Sequence, residues 1–201
     1  AFSAAASQGA RDAGADVINI GMAGTEEMYW AVTEFDACAG IEMTASHNPI
    51  SYNGMKIVKS HSRPLDDADD FQAIKALAGS QEGLSDAEIG EELDRSAEAR
   101  KAYVDRVLSF VNVKALRPLK VVVNSGNGAA GPTFDALAER LMVLGAPLEF
   151  IRVHHAPDAT FPNGIPNPLL SENHSATADV VMAEKADFGV AFDGDFDRCF
   201  F

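Results

Sequence analysis

Short apolar runs alternate with longer helical stretches along the whole chain, and few architectures accommodate that alternation. Val17–Ile20, Ile41–Thr44, Met55–Lys59, Leu119–Val123, Leu148–Val153 and Phe188–Phe192 read as strands. Between them, residues 2–13, Thr25–Phe35, Ala97–Val111, Pro132–Leu144 and 172–185 have helical composition. Gly14 and Gly145 stand where helices stop, Pro132 suits a first turn, and the Thr25 hydroxyl followed by Glu26 and Glu27 suits a helix start. Each half of the chain repeats the strand–helix pattern, which predicts an α/β protein of two successive α/β/α domains with mixed sheets. In such layers ligands collect at the carboxyl ends of strands. Two polar loops, at residues 44–49 and 193–198, fall there.

Charge marks the boundary between the halves. Lys and Arg total 16 and Asp and Glu total 30 in 201 residues, a net charge of −14. Residues 66–98 alone hold 11 acids and two bases, or −9 of that total. We read this segment as a solvated helix and linker rather than an acidic docking surface. The expected domains are residues 1–97 and 98–201. The acidity argues against a nucleic-acid partner, and no apolar run approaches the ~20 residues of a membrane span. Two cysteines, Cys38 and Cys199, form neither a disulfide framework nor a zinc motif. With no basic-then-apolar leader, the expected location is cytoplasmic. The chain starts at Ala1 and stops in the strand-like Cys199-Phe200-Phe201, so we expect a piece of a longer protein.

The strongest chemical signal is the acid triplet Asp193, Asp195 and Asp197 after a strand. Carboxylates converging at ~4 Å would repel by about 4 kcal/mol per pair at an effective dielectric of 20. Convergence therefore calls for a cation, and all-oxygen ligation favours Mg²⁺ over Ca²⁺ or Mn²⁺. An EF-hand is excluded because Arg198 stands where its loop needs glycine. The plain alternative is a solvated acidic turn. The second signal is Thr44-Ala45-Ser46-His47-Asn48-Pro49, a hydroxyl beside an imidazole just past a strand. Ser46 there could be a nucleophile or phosphoryl carrier, or part of an ordinary Ser/Asn/Pro turn. Lys56 is either a solvated edge residue or a phosphate partner and proton acceptor for Ser46. Asn124–Gly131 is glycine-rich but lacks a P-loop lysine, so a tight strand-to-helix turn is the simpler reading. His154, His155 and His174 have no metal-ligand spacing, and Tyr29, Trp30 and Phe35 are expected in the core.

TASHNP at 44–49, NGMK at 53–56 and DGDFDR at 193–198, in that order, resemble the α-D-phosphohexomutase family. GMAGTEEMYWAVTEF, VNSGNGAAGP and FPNGIPNPLL look most similar to its bacterial phosphomannomutase branch. The resemblance covers essentially the whole chain and implies the first two domains of a four-domain fold, without the sugar-recognising third and phosphate-binding fourth. It implies that Ser46 carries the transferable phosphoryl group, and that Asp193, Asp195 and Asp197 bind Mg²⁺ together with a phosphoserine oxygen. His47 and Lys56 match the family's base and phosphate-contact positions, and Arg198 matches a phosphoryl contact beside the metal loop.

The reaction so implied is an isomerisation of mannose 6-phosphate and mannose 1-phosphate through phospho-Ser46 and a hexose 1,6-bisphosphate. It would feed GDP-mannose and exopolysaccharide synthesis, with glucose or mannose 1,6-bisphosphate as activator. A phosphoglucomutase or dual-specificity enzyme is the nearest alternative. A Mg²⁺-dependent phosphatase with an aspartyl nucleophile is more distant, because Asp197 stands where its loop has threonine and TASHNP would lack a role. A non-catalytic metal- or sugar-phosphate-binding module is the third. The 201 residues alone are expected to be inactive.

Overall fold

The computed structural model describes residues 2–80 and 88–201. In chain order the first half contains α1 (Phe2–Asp12), β1 (Val17–Asn19), α2 (Thr25–Glu34), β2 (Ala39–Met43), β3 (Met55–Lys59), β4 (Arg63–Pro64), α3 (Asp70–Gly79) and β5 (Glu92–Asp94). The second half contains α4 (Ser96–Leu108), β6 (Leu119–Asn124), α5 (Ala130–Val143), β7 (Leu148–Val153), α6 (Ser175–Glu184), β8 (Phe188–Phe192) and β9 (Cys199–Phe200). The mixed α/β architecture and every strand expected from the sequence are present. The acidic segment holds helix α3 as expected, but it also holds β5, which pairs parallel with β1 from Val17↔Glu92 to Asn19↔Asp94. Part of the linker reading, residues 81–87, lies outside the described residues.

β2, β3 and β4 form an antiparallel sheet in which Glu42 lies directly opposite Lys56. Helix α2 covers this region through a cluster of Met28, Val32 and Val58, with Ile20 and Tyr29 against it. Trp30 and Phe35 are only half-buried and meet edge-to-face at 6.1 Å, so they border the core rather than fill it.

The second sheet has the order β7-β6-β8-β9, parallel except for β9. β6 lies at its centre because Val121, Val122 and Val123 are apolar on both faces and are buried. The chain leaves β6 by α5 to reach β7 on one side, then returns by α6 to β8 on the other. Such a reversal of strand order is the switch point at which α/β sheets hold ligands, here at the carboxyl ends of β6 and β8. The loops 125–129 and 193–198 both emerge there.

Buried Glu27 ties the halves together. Its carboxylate accepts from Thr133 of α5 at 2.8 Å and pairs with Arg100 of α4 at 3.2 Å. Among the described residues no helix is long and apolar enough to cross a membrane.

Candidate active site

The connection from β2 to β3 carries the Thr44–Pro49 motif. Ser46 adopts a left-handed backbone (φ 49°), and its amide donates to Thr44 Oγ1 at 2.8 Å. The Asn48 amide and side chain both donate to the Ala45 carbonyl at 2.9 Å. This turn brings Ser46 Oγ within 3.1 Å of His47 Nδ1, although neighbours in sequence need not face one another.

The loop after β8 is wound around its first carboxylate. The Arg198 amide donates to Asp193 Oδ1 at 3.1 Å, and the Phe196 amide donates to the Asp193 carbonyl at 3.2 Å. Phe196 is left-handed (φ 42°) and lies against Gly24, where a Cβ would strike its ring. Gly194 lies between two loops. A Cβ on it would collide with the Ser46 carbonyl oxygen, and its own carbonyl accepts from the Ala129 amide at 2.9 Å. The glycine-rich loop 124–131 therefore acts as a tight turn that braces Gly194, in line with the simpler sequence reading.

These contacts bring all seven residues singled out in the sequence to one place. Ser46 Oγ donates to Asp193 Oδ2 at 2.8 Å and accepts from an Arg198 guanidinium nitrogen at 2.9 Å. That nitrogen also lies 2.8 Å from Asp193 Oδ2 and meets His47 Nδ1. Lys56 Nζ donates to Asp195 Oδ2 at 2.8 Å and Asp197 Oδ2 at 2.7 Å. Thr44 Oγ1 donates to the same Asp195 oxygen at 2.9 Å.

Three carboxylates thus face two cations, and the titration of Asp193, Asp195 and Lys56 reflects it. Burial pushes Asp193 above the ordinary carboxylate range, with the neighbouring Asp195 charge adding to the rise against hydrogen bonds from Ser46 and the Arg198 amide. Burial also pushes Asp195 up, but hydrogen bonds from Lys56 and Thr44 outweigh it and leave the group below its usual range. Lys56 rises above the usual lysine range, because its bonds to Asp195 and Asp197 outweigh burial. Glu42 is pushed up to about 7, first by burial and further by Asp195 and Asp197, against the Thr25 hydroxyl and Lys56.

The acid cluster suits a hard divalent cation. One oxygen from each of Asp193, Asp195 and Asp197 lies within 4.8 Å of the others. Asp195 Oδ1 is buried without a hydrogen-bond partner, a costly state that a metal ion would relieve. Among the described residues no histidine or cysteine joins the cluster, so the donor set is all oxygen.

Sequence reading missed the parts played by Thr25 and Glu42. Thr25 looked like a helix cap, but the cap position falls on Gly24, whose amide is satisfied by Glu27 at 3.0 Å. That frees the Thr25 hydroxyl to accept from Lys56 Nζ at 2.7 Å and to donate to Glu42 Oε2 at 2.8 Å. The available signal was Glu42 itself, a charged residue in the apolar run before TASHNP.

The family models "Phosphoglucomutase/phosphomannomutase, alpha/beta/alpha domain I" and "domain II" match residues 1–83 and 101–201. The chain belongs to the phosphoglucomutase/phosphomannomutase family. Curated members that it resembles include the phosphomannomutase of Salmonella montevideo, 51% identical over 202 residues, spanning 100% of this chain and 44% of the relative. The phosphomannomutase of Escherichia coli K12 is 50% identical over 196 residues, 98% of this chain and 43% of the relative. A solved phosphoglucomutase/phosphomannomutase family protein from Burkholderia thailandensis superposes with a TM-score of 0.78 at 29% identity, covering 98% of this chain and 42% of that one. A structure from Thermus thermophilus gives 0.81 at 26% identity over 98% and 44%. This phosphoglucomutase/phosphomannomutase chain thus spans under half the length of these relatives.

Proposed function

We propose that this chain is the phosphoryl-carrying part of a phosphohexomutase, an isomerase that interconverts mannose 6-phosphate and mannose 1-phosphate. The observation that carries the reading is the Ser46 hydroxyl, held 2.8 Å from Asp193 and 2.9 Å from Arg198 inside an acid cluster fit for a metal. Mannose is preferred to glucose because the relatives at 51% and 50% identity are named phosphomannomutase. GDP-mannose supply is the role we assign to the product. The same reading divides the chain at residues 97 and 98 and leaves the 201 residues inactive alone.

Asp193, Asp195 and Asp197, with an oxygen of phospho-Ser46, would hold Mg²⁺. When bound, the ion neutralises charge on the phosphoryl oxygens. The protein's own groups do the rest. The phosphorus–Oγ bond of phospho-Ser46 breaks as a phosphorus–oxygen bond to a sugar hydroxyl forms, giving a hexose 1,6-bisphosphate. That hydroxyl loses a proton and Ser46 Oγ gains one. The His47 imidazole, whose Nδ1 lies 3.1 Å from Oγ, is the group placed to move that proton. A phosphoryl group adds about −1.5 to −2 of charge beside the carboxylates. Arg198 and Lys56 offset it, which is the positioning and charge stabilisation that phosphoryl transfer needs. The bisphosphate then reorients and returns its other phosphoryl group to Ser46. A hexose 1,6-bisphosphate is accordingly the activator.

An aspartyl phosphatase is less well supported, because Asp193 is fully buried and its Oδ2 is engaged by Ser46 and Arg198. The test is peptide mass mapping of the full-length protein after incubation with Mg²⁺ and glucose 1,6-bisphosphate, paired with turnover of Ser46→Ala. A phosphoryl group on Ser46 and loss of turnover in the variant are expected. An unmodified Ser46, or near-normal turnover without it, would overturn the assignment.

A further inference from the structure

We propose that Glu42 is a positioning residue for Lys56, acting through the hydroxyl of Thr25, which fixes where the ammonium points. The inference rests on the reading of Ser46 as phosphoryl carrier and deepens it.

Glu42 and Lys56 are directly opposed across the antiparallel β2–β3 pair, an arrangement in which opposite charges ordinarily pair with one another. Here the Lys56 ammonium is committed elsewhere. Its three protons go to Thr25 Oγ1 at 2.7 Å, Asp195 Oδ2 at 2.8 Å and Asp197 Oδ2 at 2.7 Å. An ammonium has three donors and no acceptor, so this set is complete. Thr25 has one hydroxyl proton and cannot give it to Lys56. Glu42 Oε2, 2.8 Å away, takes it. The Glu42 oxygen thereby sets the polarity of the hydroxyl and turns its lone pair toward the lysine.

Thr25 is held firmly enough for this. It is 1% exposed, begins helix α2, and its amide donates to the Asp195 carbonyl at 3.2 Å. The charged groups facing Glu42 are Lys56, Asp195 and Asp197. Without an acceptor at Glu42 the Thr25 proton would turn toward the ammonium. One of the three holds on Lys56 would then be lost, and the amine would shift from its place between Asp195 and Asp197.

Action in series gives a distinctive signature. In the full-length protein, with Mg²⁺, glucose 1,6-bisphosphate and mannose 1-phosphate, Thr25→Val and Glu42→Leu are each expected to lower kcat. A hydrogen bond to a charged group corresponds to a loss of roughly 10- to 100-fold, with KM little changed. The double variant is expected to be no slower than the slower single one. Thr25→Ser restores the hydroxyl and Glu42→Gln keeps an acceptor oxygen, so both should recover most of the rate. Losses that multiply in the double variant, conservative variants as slow as the drastic ones, or an effect confined to KM would overturn the inference. If Thr25→Val does not fold, the comparison of Glu42→Leu with Glu42→Gln decides alone. Ser46→Ala measured alongside separates the two claims. An inactive Ser46→Ala with unimpaired Thr25 and Glu42 variants sinks only the positioning role, whereas an active one sinks the reading beneath it.

Discussion

Gly128→Ala tests whether the loop after β6 braces the metal loop. A Cβ at residue 128 would lie 2.5 Å from the Gly194 carbonyl oxygen, 2.9 Å from its Cα and 3.0 Å from its carbonyl carbon. Ordinary van der Waals contact begins at 3.4 Å, so Gly194 must retreat by about 0.9 Å. All three obstacles are backbone atoms, and no rotamer change can relieve them. Retreat would strain the 2.9 Å bond from the Ala129 amide to the Gly194 carbonyl, and Gly194 is also closely approached by the Ser46 carbonyl. Gly128 itself has no positive φ, so the cost is steric rather than conformational. Overpacking of this kind costs about 1–3 kcal/mol and the weakened hydrogen bond about 1 kcal/mol. For a chain of this size that lowers Tm by roughly 5–15 °C. The assay is thermal unfolding by circular dichroism, with Mg²⁺ affinity measured by calorimetry on the same samples. Gly9→Ala is the control. It lies in helix α1 with nothing within 4 Å of a new Cβ, and should gain about 0.5–1 kcal/mol. A Gly128→Ala chain that melts with the parent and binds Mg²⁺ as tightly would refute the bracing argument.

Removing the lysine that stands between two carboxylates should make the fold depend on metal. Lys56→Met leaves buried Asp195 without its cation and Asp197 with Arg198 alone, 3.3 Å away, and should cost about 2–3 kcal/mol, less than a fully buried broken pair because Lys56 and Asp197 retain some solvent contact. Saturating Mg²⁺ should raise its Tm by more than it raises that of the parent, and an equal rise would speak against the shared site. Glu42 predicts a pH effect of definite sign. Its carboxyl is raised from 4.5 to about 7 in the folded chain, so the folded state holds the proton more tightly than the unfolded one. The resulting stabilisation is complete below about pH 4.5, declines toward pH 7 and is absent above it. In metal-free urea titrations Glu42→Gln should lack this decline, and superimposable pH profiles would remove Glu42 as its source.

What could be read in the sequence was what lies close together in it. DGDFDR and TASHNP are each contiguous, so both could be singled out before any fold was known. Their meeting followed from both loops lying at the carboxyl ends of strands. Thr25 was misread because a hydroxyl ahead of two acids has the pattern of a helix cap. Only the structure shows that Glu27 satisfies the Gly24 amide and leaves that hydroxyl to Lys56. Glu42 was invisible because its place opposite Lys56 depends on the β2–β3 register. β5 was hidden for a related reason. Glu-Leu-Asp has little strand propensity, and the segment is extended because β1 lies alongside it. Tyr29, Trp30 and Phe35 looked like core by composition; Tyr29 does pack on the Met28, Val32 and Val58 cluster, whereas the half-buried Trp30 and Phe35 rings lie at the margin.

The hydrogen bond from Ser46 to Asp193 spans 147 positions of sequence. A ribosome adding about 5–20 residues per second needs roughly 7–30 s to cover that distance. Through that interval Ser46 is an ordinary turn hydroxyl, with neither the three carboxylates nor the Arg198 guanidinium arranged around it. The surroundings of Ser46 are therefore timed by synthesis as well as by geometry, and a ribosome stalled between the two loops would display the serine in a nascent chain that lacks the partners it has in the finished fold.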